Sequence, residues 1–437
     1  MKGFLRLIPA LVSLAFLVFP GCTVQRWEEA EQNAAFPDEV HTIKIVSPSG
    51  RSVRAIYAVA ERFSREHPGF TVGVSVISGS VPMNTFLTSK FAVGDVPDLL
   101  IYQAGGSTAL FAQGGHLAAL DGEFPEGYFI PDTDRYCRYR DKLYALPLDI
   151  TVSGLFVQMS VLWRGAVRNH DLRVVPKTFD EFIYSCERLR QAGIEYPVVI
   201  SAASEIAAGH FPYQFIQQNI YNEDPSLHDP RLNGKEELKW TDPPFREMYA
   251  AYGALRRYMN PDAVRIDERE AIRRFANGEA AYLIGTSRDI AAIREIQPRN
   301  LDMLLVTPPW TRDLSRARAL LGLDTVISVS AATAYPGEAR AFLRDFVSAG
   351  GADLYTQAVG SISAVRESFL WYDPCLGPQD DVFRDRDITE FFPRQWPPGF
   401  DTLFRRFNRE WFTGRSADSV LEEMESRRLA LTEGIGP

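Results

Sequence analysis

The chain has 437 residues, 46% hydrophobic and 12% aromatic, which is enough for two or more packed domains and unlike a disordered composition. Its formal net charge is -9 with no basic stripe, which disfavours nucleic acid as a partner. Cys137, Cys186 and Cys375 show no CxxC spacing and the six His are scattered, so at most one disulfide and no metal site are expected.

The chain opens with Lys2 and Arg6, then an apolar run over residues 7–19, then Gly21 before Cys22. Charge, apolar run and small residue in that order read as an export signal over residues 1–21. The run is shorter than the roughly 20 apolar residues of a membrane span, and no later stretch reaches that length without charges, so a soluble mature body is predicted. Phe19-Pro-Gly-Cys22 resembles the lipobox of bacterial lipoproteins, which implies cleavage before Cys22 and a lipid on its thiol. Residues 22–40, rich in Glu, Gln, Asn and Ala, read as a tether.

Residues 41–47 alternate as a strand, and Val53, Ile56, Tyr57, Ala60 and Phe63 fall on one helical stripe that ends at His67-Pro-Gly69. Residues 71–77 alternate again. Ser78-Gly-Ser80 follows, then a helix through Phe91 and a short buried strand over residues 98–102. Strand, helix, strand, helix, strand predicts an α/β unit on a parallel sheet. Further on, Thr178 and Glu181 have capping-box spacing, and Cys186 shares an apolar face with Phe182, Ile183 and Leu189. Gly278 closes a helix carrying Ile272 and Phe275; residues 280–284 read as a strand, with Thr286 and Ser287 capping the next helix. Residues 373–400 read as loop and residues 418–431 as helix. The chain has no P-loop, HExxH or GxSxG, and no cofactor is expected.

Six segments together resemble the family 1 extracellular solute-binding proteins, the group that includes maltose- and glycerol-phosphate-binding proteins. They are Phe63-Ser-Arg-Glu-His-Pro-Gly-Phe-Thr-Val72, Phe91-Ala-Val-Gly-Asp-Val-Pro-Asp-Leu-Leu100, Gly114-Gly-His-Leu117, Arg140-Asp-Lys-Leu-Tyr-Ala-Leu-Pro147, Pro176-Lys-Thr-Phe-Asp-Glu-Phe182 and Phe275-Ala-Asn-Gly-Glu-Ala-Ala281. They run in family order to about Val365. The resemblance implies a type II periplasmic-binding-protein fold: two α/β lobes, each on a mostly parallel sheet, joined by three crossings. It places one lobe at 41–148 and 309–360, the other at 152–304 and 364–437, and hinges near 148–152, 304–308 and 360–364.

Open parallel sheets bind ligands beyond the carboxyl ends of their strands. By that rule Ser78 and Ser80, Tyr102 and Gln103, and Ser287 and Arg288 become candidate ligand contacts. A sugar needs aromatic planes for its CH faces and planar polar groups for its hydroxyls. Tyr213, Trp371 and Trp396 join Tyr102 as aromatic candidates, and Asp149 joins Gln103 and Arg288 as polar ones. Arg288 stands where the family often carries a stacking Trp. A guanidinium there admits an acidic or phosphorylated sugar, or a solvated side chain at a helix start.

The resemblance therefore implies a monomeric, exported, lipid-anchored receptor facing the periplasm or cell exterior. It would capture carbohydrate between closing lobes and deliver it to the transmembrane subunits of an ABC permease. A sensor presenting the same ligand state to a membrane receptor or kinase is the alternative. Catalysis on a glycan would need two carboxylates flanking the bond, and nothing marks Asp149 and Asp289 as such a pair.

Overall fold

The computed structural model describes residues 40–77, 83–130, 133–166, 175–221, 238–299, 302–368, 373–379, 392–396 and 399–433. Cys22, Ser78, Ser80 and Trp371 lie outside the described residues.

The strands are β1 His41–Ser47, β2 Phe70–Val76, β3 Leu99–Gln103, the short pair β4 Arg138–Tyr139 and β5 Lys142–Leu143, β6 Leu146–Gln158, β7 Val198–Val199, β8 Tyr282–Thr286, β9 Met303–Val306, β10 Leu320–Val329 and β11 Ile362–Ser363. One sheet runs in the order β2-β1-β3-β10-β6-β8-β7, with β9 and β11 also paired to β6. Its outer pairs are parallel, as the β-α-β reading predicts: β1 with β2 and β3, and β7 with β8. The centre is antiparallel. The long strands β6 and β10 run against each other, β10 runs against β3, and β6 runs against β8 and β9. The sheet is thus mixed rather than mostly parallel, because the strands that pass between the two halves return in the opposite direction.

Side-chain alternation along these strands sends apolar groups to two cores. Ile43, Ile45, Leu99, Ile101, Leu148 and Val326 belong to the first. Leu155, Val157, Tyr282 and Ile284 point instead into a second core with Phe182, Phe211, Tyr252, Phe404 and Met424. On the opposite face of the second half, Phe156 and Leu283 pack with Ile272, Phe275, Ile290 and Ile293 of helices Glu268–Ala276 and Asp289–Ile296, continuous with the first core.

Trp310 and Leu320 sit in the second core and Leu321 and Leu323 in the first. Met303, Leu305 and Ala319 also belong to the first core and Val306 to the second, so membership alternates over residues 303–323. Trp310 is fixed in the second core: its ring fits edge-on against Phe182 at 5.1 Å and its indole N–H donates to Gln214 at 2.6 Å. Ile362 and Ser363 of β11 pair with Ile150 and Asp149 of β6.

Local expectations meet small corrections. The first helix spans Ser52–Glu66, but its buried face is Ala55, Ile56, Val59, Ala60 and Phe63, while Tyr57 is exposed. The Thr178 hydroxyl accepts from the Glu181 N–H, and the Glu181 carboxylate reaches back to the Lys177 N–H. Strand β8 starts two residues later than predicted. Neither Thr286 nor Ser287 caps the next helix: the Ser287 hydroxyl accepts from the Val152 N–H instead. Cys137, Cys186 and Cys375 are buried free thiols, and burial pushes all three upward in pKa. Among the described residues no helix is long and apolar enough to cross a membrane.

Candidate functional site

A cleft of about 720 Å³ opens where β6, β8 and β10 meet. Volumes of this size hold small-molecule ligands. Three elements build its floor. Thr151 and Ser153 come from β6, Thr286 from β8, and Gly322 and Asp324 from β10. Pairing slips register between Leu323 and Thr325, and such irregularities re-aim side chains. Asp324 lies at that slip, and its carboxylate meets the Arg288 guanidinium at 2.5 Å and the Thr151 hydroxyl at 2.9 Å.

Arg288 is the centre of this network. Its guanidinium also lies 3.4 Å from Asp149, and its carbonyl oxygen accepts from the Arg51 guanidinium at 3.0 Å. Burial pulls the Arg288 pKa down, but Asp324 and then Asp149 outweigh it, so the group is held above its ordinary value. Asp149 is fully buried. Burial pushes its carboxyl up against the pull of Arg288, while the Thr325 N–H at 2.9 Å and the Thr325 hydroxyl donate to it.

One wall comes from helix Glu205–Asn219 with its neighbour Phe400–Phe412. His210, Tyr213, Asp401 and Arg405 line the cleft there. The Tyr213 hydroxyl donates to Asp401, which Arg405 pairs at 2.9 Å. Burial and then the Asp401 charge raise the Tyr213 pKa well above its ordinary value. The helix is fixed to the floor by Gln214, whose amide donates to the Ser153 hydroxyl at 2.7 Å. Opposite, Glu268 and Asp289 share a side recess of about 20 Å³ with His210, enough for one water-sized group. Burial foremost, with Glu268 adding to it, pushes Asp289 up to about 6, although it accepts from the Thr286 N–H at 2.8 Å. Burial lowers His210 against the pull of Glu268.

Of the sequence candidates, Gln103, Tyr213 and Arg288 line this cleft. Tyr102 does not. Its ring lies in the first core with no exposure, and its hydroxyl is held by Ser328 at 2.8 Å and Thr108 at 3.2 Å. The strand-end rule fails there because alternation along β3 turns Tyr102 inward and leaves Gln103 exposed. Asp149 and Ser287 are also fully buried and stand behind the floor, so of Asp149 and Asp289 only Asp289 faces the cleft. Trp396 is not among the cleft-lining residues; it packs against Phe392, Phe400 and Phe404 at 5.0 to 5.4 Å and against Tyr213 at 6.2 Å.

Sequence reasoning missed Arg51, Thr151, His210, Glu268, Asp324 and Arg405. Asp324 left a trace: it is the carboxylate inside the apolar run Leu320-Leu-Gly-Leu-Asp-Thr-Val326. Arg51 follows a strand end by four residues. Arg405 comes from a helix over a hundred residues beyond β8, and no local pattern marks it.

Two cores, strands that pass between them, and a polar cleft at their junction define a two-lobed binding protein of type II. Residues 47–353 match the family described as bacterial extracellular solute-binding protein, and the chain belongs to that family. Its members are receptors that bind rather than transform their solute, and the family is exported. A multiple sugar-binding protein of Streptococcus mutans serotype c is 22% identical over 382 residues, covering 82% of this chain and 81% of its own. A chitin oligosaccharide binding protein superposes with a TM-score of 0.77 at 18% identity, covering 90% of this chain and 99% of its own. The binding protein RafE in complex with raffinose gives 0.75 at 18% identity, covering 89% and 99%.

Proposed function

We propose that this chain captures a carbohydrate in the cleft between its two lobes and delivers it to an ABC-type membrane permease. The cleft carries the reading. Its carboxylates, guanidinium groups and hydroxyls converge on one space and suit the many hydroxyls of a sugar, and the relatives named above are sugar-binding proteins. Tyr213 borders the cleft with its ring nearly buried in the second core. The recess at Glu268 and Asp289 accommodates one hydroxyl. Arg288 has its charge answered by Asp324 and Asp149, which favours a neutral sugar over an acidic or phosphorylated one.

The lobes hinge near residues 148–152, 303–323 and 360–364. Cargo touching both lobes stabilises their closed arrangement, and the permease reads that arrangement. The export signal and the cysteine at position 22 support a lipid-anchored receptor outside the cytoplasmic membrane, acting as a monomer.

The test is a melting-temperature screen on the chain lacking its first 22 residues. Neutral mono- and oligosaccharides, uronic acids, sugar phosphates, amino acids and peptides are compared. A ligand that binds only the folded state adds about 2.7 kcal/mol at a hundred times its dissociation constant. A shift with neutral sugars is expected. A shift with amino acids or peptides alone would overturn the carbohydrate reading.

A further inference from the structure

We infer that Arg288 is a hinge lock: it fixes the angle between the lobes before cargo arrives and does not meet the cargo's charge. The inference rests on the reading that the lobes close around a ligand.

Arg288 touches every part that must move. Its guanidinium holds Asp149 and Thr151 of β6 and Asp324 of β10, the two long strands that pass between the cores. Its carbonyl lies 3.4 Å from where a Cβ on Gly360 would stand, at the third hinge. Gly360 has φ +75°, where a side chain is strained, and a Cβ there would also stand 3.3 Å from Ala291 Cβ. The same carbonyl accepts from Arg51, 237 positions away. Arg51 belongs to none of the passages. It opens the helix Ser52–Glu66, whose Ala55, Ile56, Val59 and Phe63 are embedded in the first core.

A hydrogen bond weakens steeply once its heavy atoms separate beyond about 3.5 Å. The guanidinium contacts sit on the passages and anchor the Arg288 carbonyl. The Arg51 contact joins that anchor to a separate first-core element, so opening strains it. A guanidinium suits this role because it presents several donors in a fixed fork, which an ammonium lacks. A Trp at position 288 would offer cargo a ring; the Arg spends its donors on the protein.

The test is small-angle X-ray scattering of the ligand-free chain beside Arg51→Ala and Arg288→Lys. Both are mild changes: Arg51 is exposed, and lysine keeps the cation between Asp149 and Asp324. A larger radius of gyration than the parent is expected in either variant. Calorimetry with the sugars that shift melting should then give dissociation constants raised by up to about fivefold, the factor one exposed hydrogen bond carries, and by the same factor for each sugar. Parent-like scattering from both variants overturns the lock, as does a loss confined to acidic sugars. The scattering arm needs no ligand, so it decides even if no sugar binds and the carbohydrate reading fails.

Discussion

Asp324 meets Arg288 at 2.5 Å beside the register slip between β10 and β6, so an irregularity in backbone pairing and an ion pair occupy the same point. Neither is independent of the other. The slip turns the carboxylate toward the cleft, and the guanidinium then answers a charge that would otherwise repel the buried Asp149 on the neighbouring strand.

Breaking that pair at one end therefore leaves a cation with only the more distant Asp149, 3.4 Å away. Asp324→Asn is expected to destabilise the chain by about 1–2 kcal/mol, the range for a charged hydrogen bond discounted for a partly exposed arginine. Urea denaturation of the two proteins measures it. Arg288→Met should cost more, because it leaves Asp149 and Asp324 together with no cation between them.

Asp289 gives a pH dependence of definite sign. Its folded pKa, about 6, lies above the ordinary 3.8, chiefly through burial. Such a group favours the folded state below about 3.8, and that advantage is lost as pH rises through about 6. Asp289→Asn removes the ionisation and keeps an oxygen for the Thr286 N–H. The variant should match the parent near pH 4 and exceed it at pH 7.5 by at most about 3 kcal/mol. Urea midpoints at several pH values trace the divergence; parallel curves would contradict it.

Tyr213 and Trp396 are neighbouring rings with different duties. Tyr213 lines the cleft, whereas Trp396 packs among Phe392, Phe400 and Phe404 behind it. Trp396→Ala is expected to cost about 3 kcal/mol of stability and leave sugar affinity unchanged. Tyr213→Phe loses the bond to Asp401, costs about 1 kcal/mol, and weakens sugar binding by leaving that carboxylate held by Arg405 alone. Melting curves and calorimetry on both variants separate the two effects.

The strands and helices were largely legible because their periodicity is local. The alternation over residues 41–47 and 98–102 and the capping pair Thr178 and Glu181 need no knowledge of the rest of the chain. The cleft was legible at Gln103 and Arg288, at or just past strand ends, and at Tyr213, an aromatic candidate on a helix. Tyr102 shows the limit: one residue of alternation separates a cleft position from a core position, and the end of a strand cannot be read to that precision. Asp324, His210 and Arg405 reach the cleft through a register slip and two distant helices, which are tertiary facts.

Two glycines facing each other across β6 and β8 make a final contrast. Gly154 pairs with Gly285. A Cβ on Gly154 would stand 2.7 Å from the Val306 carbonyl oxygen and 2.8 Å from Leu305 Cδ1. The nearer obstacle is backbone in a paired strand and cannot yield alone, so Gly154→Ala should cost about 2–3 kcal/mol by forcing β6 and β9 apart. A Cβ on Gly285 would stand 2.6 Å from Asp289 Oδ2 and 3.2 Å from Phe156 Cε2. The nearer obstacle here is the end of a side chain that can swing, at the expense of its bond to the Thr286 N–H. Gly285→Ala should therefore cost less stability than Gly154→Ala and more sugar affinity, since the displaced carboxylate belongs to the cleft. Denaturation and calorimetry on the two variants test the crossover. The opposite order would mean that Asp289 takes no part in holding cargo.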